Sequence, residues 1–100
     1  MIHHIVLFKL KDYLSSAEKQ EAAERVRAEL LSMRVKIEVI REFEVGINKG
    51  ENPSAYDVSI LSSFCSWDDL EIYQFHPSHK AFIAFNKSYT VHKAIIDYEV

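Results

Sequence analysis

The order of periodic segments in this 100-residue chain predicts an α+β domain running β-α-β-β-α-β, with a four-stranded antiparallel sheet and its helices on one face. Three observations predict it. Four stretches carry strand signals, as short apolar runs or strict alternation. Two stretches carry a helical pattern behind an N-capping serine. Turn-forming residues cluster between these stretches, and no repeat, low-complexity tract or linker divides residues 1–100, so a single domain is expected.

The first strand is expected at residues 2–10, rich in Ile, Val, Leu and Phe. One parity holds Ile2, His4, Val6, Phe8 and Leu10 and should face the helices; His3, Ile5, Leu7 and Lys9 make the other. Ser15 precedes Glu18 by three residues, the spacing of a capping box. Ala23, Val26, Leu30 and Met33 then recur at helical spacing, which predicts a helix over 16–33. Residues 37–47 alternate, with Ile37, Val39, Phe43, Val45 and Ile47 on one parity and Glu38, Glu42 and Glu44 on the other, as in a half-buried strand. Arg41 is the exception on the apolar parity, and Gly46 suits a bulge or bend. Residues 48–53 read as a turn, with Gly50 available for positive φ and Pro53 fixing its own. Residues 55–64 form the next strand and complete a hairpin.

Ser66, with Asp69 three residues on, begins the second helical stretch. That stretch should break at His76, because the residue before a proline is steered out of the helical region. Pro77 then suits the first position of a further helical segment to about Tyr89. Residues 91–99 close the domain as a strand, with Ala94, Ile96 and Tyr98 opposed to Lys93, Asp97 and Glu99. The parity of Ile5 and Leu7 is mixed enough either to be solvated or to pair with a second copy.

Twelve basic against fifteen acidic residues form no basic stripe, which argues against nucleic acid and anionic membrane as partners. The lone Cys65 can close no internal disulfide, and the apolar run Ile5–Phe8 is too short for a signal peptide or a span, so a cytoplasmic protein is expected. Neither a Gly-rich phosphate loop nor a nucleophile elbow occurs, and no cofactor is expected. Cys65 reads better as a small hydrophobe than as a reactive thiol.

Chemistry concentrates in the histidines and one tyrosine. His4 lies on an apolar parity, where it is either a core histidine with satisfied nitrogens or a group facing a pocket between sheet and helices. His79 falls in the first turn after Pro77, where the helix dipole should lower its pKa and favour the neutral, proton-accepting ring. Tyr73 stands across the Pro77 break and could face the same space, so that phenol and imidazole supply a donor and an acceptor together. The plainer alternative is a helix junction in which His76 and His79 cap backbone groups and Tyr73 packs in the core. His76 and His79 are spaced i, i+3, but the proline between them disturbs the geometry and no further ligand stands at a recognised spacing, so no metal site is expected.

Taken together, His4-Ile5-Val6-Leu7-Phe8-Lys9, Glu44-Val45-Gly46-Ile47-Asn48, Tyr56-Asp57-Val58-Ser59 leading to Phe64, Tyr73 with His76-Pro77-Ser78-His79, and Ile96-Asp97-Tyr98 resemble the stress-responsive A/B barrel domain family over essentially the whole chain. The resemblance implies a dimeric α/β barrel: two ferredoxin-like protomers packed sheet to sheet, with Ile5 and Leu7 meeting the partner. Many members of the family have no assigned reaction. A plant member is a polyketide cyclase, and its active-site His, Tyr and His correspond to His4, Tyr73 and His79. A further Tyr of that enzyme's first helix falls near Arg25 to Arg27 here, with no Tyr in reach.

The expected function is therefore a stress-associated homodimer without an assignable activity. Two alternatives stand beside it. One is a small cofactor-free enzyme, cyclase-like or monooxygenase-like, working on an enolisable carbonyl compound with His79 as base, Tyr73 as acid and His4 as orienting group. The other is a binder of a small apolar carbonyl-containing ligand without turnover. His76 and Phe82 complete the candidate set as ligand-contacting residues.

Overall fold

Burial alternates along the first strand: in the computed structural model, which describes residues 1–100, β1 (Ile2–Leu10) buries Ile2, His4, Val6, Phe8 and Leu10 and leaves the other parity half-exposed. Helix α1 (Ser16–Arg34) starts where Ser15 Oγ accepts the Glu18 N–H at 3.1 Å. It buries Ala22, Ala23, Val26, Leu30 and Met33. Strands β2 (Glu42–Ile47) and β3 (Val58–Phe64) follow as a hairpin, then α2 (Trp67–Phe75), α3 (Pro77–Asn86) and β4 (Thr90–Glu99). The sheet order is β2-β3-β1-β4 and each neighbouring pair is antiparallel. This is the ferredoxin-like arrangement, with the second helical crossover in two pieces.

Seventeen buried apolar residues form the core between the sheet and the helices. Val26, Leu30 and Phe64 are fully buried, and each such side chain contributes roughly 1.5–3 kcal/mol by leaving water.

Four local expectations are corrected. The strand expected from residue 37 begins at Glu42. Residues 35–41 are turns after α1, with Lys36, Ile37 and Ile40 N–H groups bonded to the carbonyls of Met33, Arg34 and Ile37. Ile37 and Ile40 are both buried there, so apolar residues three apart serve a turn where alternation had suggested a strand. The loop before β3 needs no positive φ at Gly50. Side chains shape it instead: Asn48 Oδ1 accepts the Gly50 N–H and Asn52 Oδ1 accepts the Ser54 N–H. Gly46 makes no bulge; it pairs in register with Ser59, and a Cβ at Gly46 would lie 2.7 Å from Ser59 Oγ. The strand expected from residue 55 starts at Val58, because Asp57 is drawn inward to accept the Leu10 N–H at 2.8 Å and pair with Lys19 at 3.0 Å.

The break between α2 and α3 has its cause in Pro77. His76 holds φ −63° and ψ 138°, the extended geometry that a following proline imposes. The same residue closes α2, with its N–H on the Tyr73 carbonyl, and caps α3, with its Nδ1 accepting the Ser78 N–H at 3.0 Å. Strand β4 places Lys93, Ile95 and Asp97 opposite Phe8, Val6 and His4, on the helix side. Its more apolar parity, Ala94, Ile96 and Tyr98, therefore pairs with Leu7, Ile5 and His3 on the open face of the sheet. No helix is long and apolar enough to cross a membrane.

Candidate functional site

Helix α3 packs on α1 and α2 and stands off the β1–β4 half of the sheet. The gap is a pocket of about 420 Å³. Its walls are apolar where Val6, Phe8, Ile60 and Phe82 meet, with the Phe8 and Phe82 rings 6.0 Å apart. Three polar rings from three elements line it together: His4 from β1, Tyr73 from α2 and His79 from α3. The Tyr73 ring centroid lies 5.7 Å from that of His4 and 4.5 Å from that of His79. Phe64 backs the group, with its centroid 5.2 Å from Tyr73.

Each histidine is held by one nitrogen. His4 is buried, and its Nδ1 is hydrogen-bonded to Asp97 Oδ1 across the β1–β4 pair. A carboxylate accepts, so Nδ1 carries the proton and Nε2 is left for a ligand. His79 Nδ1 donates to the Gln74 carbonyl at 3.0 Å, which leaves its Nε2 as the acceptor of the neutral ring. The break at His76 makes this bond possible, because it turns α3 back so that its third residue meets the last turn of α2.

Burial tunes two of the groups in useful directions. The pKa of His79 is lowered chiefly by desolvation, with the nearby His4, Lys93 and His76 adding to the effect and the bond to Gln74 opposing it. The direction matches the expectation from sequence, but its leading cause is burial rather than the helix terminus. Tyr73 is raised by burial well above the ordinary phenol value, so it stays protonated and acts as a donor. A neutral imidazole acceptor and a phenol donor thus share one end of an apolar pocket.

The remaining candidates divide. Phe82 lines the pocket, whereas His76 lies outside its lining and spends Nδ1 on capping α3. No three His, Cys, Asp or Glu side chains are grouped to hold a metal ion. Arg25 and Arg27 are exposed on α1 and take no part in the lining. Cys65 is exposed, with Arg41 Nε 2.9 Å from its sulfur, so it is not the buried small hydrophobe expected from sequence. Sequence reasoning gave no role to Asp97, Lys87 or Lys93. Asp97 and Lys93 read as the solvent parity of β4, and only the register against β1 turns that parity toward the helices.

Comparison with known proteins agrees with this architecture. The family model described as Stress responsive A/B Barrel Domain matches residues 2–100. An uncharacterized protein of Streptomyces coelicolor is 36% identical over 102 residues, covering 99% of each chain. A protein of Bacteroides fragilis, described as dimeric, ferredoxin-like and of unknown function, is 34% identical with a TM-score of 0.83 over 99% of this chain and 95% of its own. A hydroxynitrile lyase from Passiflora edulis shares the fold at 18% identity, with a TM-score of 0.79 over 97% of this chain and 90% of its own.

Proposed function

Because the chain belongs to the stress responsive A/B barrel family, a membership that settles its fold and assigns no reaction, we propose its activity from the site itself: the pocket binds a small, largely apolar carbonyl compound and moves a proton at its enolisable carbon. The observation that carries this reading is the convergence of His4, Tyr73 and His79 on one end of an apolar cavity, each histidine keeping Nε2 for a ligand.

The roles follow from chemistry. His79 Nε2 takes the proton from the carbon next to the carbonyl; the electron pair of that C–H bond becomes the C=C bond of the enolate and the C=O π pair moves onto the oxygen. Tyr73 donates its hydroxyl hydrogen bond to that oxygen where the negative charge develops. His4, oriented by Asp97, positions the ligand beside Tyr73. Replacement of that proton on His79 by solvent deuterium and return of the deuteron to the enolate carbon complete exchange; attack of the enolate carbon on a second carbonyl forms a C–C bond and an alkoxide that takes the proton from His79, which completes ring closure. The test is hydrogen–deuterium exchange at the α-carbon of an aryl ketone, followed by NMR. His79→Ala should slow exchange on the order of a hundredfold or more, the usual weight of a general base, and Tyr73→Phe by a similar factor. Exchange at the wild-type rate in both variants would sink the assignment, and binding without exchange in the wild type would leave a binder.

We further propose that two copies associate through the open sheet face. Ile5, Leu61 and Ile96 align across three strands there, Leu61 and Ile96 are exposed in the single chain, and the Bacteroides relative is described as dimeric. A reducing, cytoplasmic setting accords with the free thiol of Cys65.

A further inference from the structure

The end of the pocket beyond the base carries a charge pattern of which proton transfer at His79 uses only one part, the contribution of Lys93 to lowering the pKa of that ring. Lys87, at the C-cap of α3, and Lys93, on the helix side of β4, both line the cavity, with His92 beside them. None of the sixteen lining residues is Asp or Glu. Neither lysine is paired with a carboxylate of the chain: Asp97 is bonded to His4, Asp57 to Lys19 and Glu24 to Arg27. In a protein of net charge −3, two unpaired ammonium groups from the two sides of one pocket make a local field opposite in sign to the whole.

The strand spaces this field from the reactive end. Asp97, which holds His4, and Lys93 lie on the same face of β4 with Ile95 between them. Four residues of extended chain cover about 13 Å. Ile95 of the strand and Ile83 of the facing helix line the apolar stretch between. Read along β4, the pocket offers an acid–base end, an apolar middle and a cationic end.

We propose that the ligand is a small carbonyl compound bearing a carboxylate at the end remote from its enolisable carbon, with Lys87 and Lys93 as the residues that select it. This inference rests on the acid–base reading for the carbonyl and on the lysines for the carboxylate. The apolar body fills the middle of the pocket, and the carboxylate fixes which end of the molecule reaches His79 and Tyr73.

A matched pair of probes separates the two claims: 3-(4-acetylphenyl)propanoate and its methyl ester, which share an enolisable acetyl methyl at one end and an aromatic body in the middle and differ in charge at the other end. Binding is measured by NMR titration at low salt and again at 0.5 M salt, and α-carbon deuterium exchange is followed in the same samples. The acid should bind about tenfold tighter than the ester, a preference that shrinks at high salt and falls to about onefold in Lys87→Ala/Lys93→Ala. The ester should still bind the double variant as it binds wild type, which shows that the variant is folded. Equal affinity for acid and ester in the wild type, failure of both to bind at millimolar concentration, or a preference that survives the double substitution would each overturn the proposal. Loss of exchange in His79→Ala with the acid preference intact tests the base alone; exchange without any acid preference defeats the lysines' role and leaves the base standing.

Discussion

His79 shows how one side chain can be positioned and tuned by the same contacts. Its bond to the Gln74 carbonyl fixes the tautomer, and partial burial among His4, Lys93 and His76 disfavours the charged ring. The consequence for pH has a definite sign. With a folded pKa below the unfolded 6.5, His79 has no effect on stability above that pH, where both states are neutral. As pH falls below 6.5 the unfolded chain takes up a proton first, so stability declines until the pH passes the folded pKa. Urea titrations across pH 5 to 7.5 should show this slope, and His79→Gln should flatten it; an unchanged slope in the variant would refute the assignment. The same shift sets the pH profile expected of the proposed proton exchange. Exchange should rise with pH with its half-point below 6.5, and the plateau above it should extend past pH 10, because burial holds the Tyr73 phenol above its usual value. An alkaline limb near neutral pH would show that another group supplies the proton donor.

Among the elements, the α2–α3 junction carries more of the site than either helix alone. His76 ends one helix and begins the next, and the extended backbone before Pro77 aims α3 so that His79 reaches back to α2. His76→Ala removes the cap on the Ser78 N–H and should cost about 1 kcal/mol. It should also weaken exchange, and His76→Ser, an ordinary N-cap, should restore stability and most of the rate. An alanine variant as stable as wild type would show that the capping bond is dispensable. This junction was legible in the sequence, because proline acts on its predecessor through local sterics. The serine caps at Ser15 and Ser66 were legible for the same reason. The start of β2 was not, since Ile37 and Ile40 meet the core from turns that imitate a strand pattern. The pocket role of β4 was not legible either. Lys93 and Asp97 look solvent-facing until pairing with Phe8 and His4 fixes their side, and pairing is a long-range property of the chain. His4, Tyr73 and His79 could be singled out from residue type and neighbours; that they share one cavity follows only once three elements are packed together.

The whole molecule presents a sheet covered on one side and open on the other. The covered side holds the core; the open side offers Ile5, Leu61 and Ile96 in a row, flanked by Leu7 and Tyr98. A domain of this size leaves much of its surface exposed, and an apolar row of this kind is commonly buried by association. Ile96→Glu places a charge in the middle of that face without touching the core. Sedimentation at micromolar concentration should show a dimer for the wild type and a monomer for the variant, with helical content unchanged. A wild type sedimenting as an 11.6 kDa monomer would overturn the association.

Strand β4 gives alternate residues to the two sides of the sheet: Val91, Lys93 and Ile95 to the cavity, Ala94, Ile96 and Tyr98 to the open face. Its sequence is therefore two interleaved texts that can be edited separately. A lineage, or a designer, could exchange residues at the first set to alter the lining of the cavity while the second set, on the face proposed for association, stays constant. A slip of one residue in the β1–β4 register would interchange the two sets at a stroke. Selection on this strand should then act less on any one side chain than on keeping count.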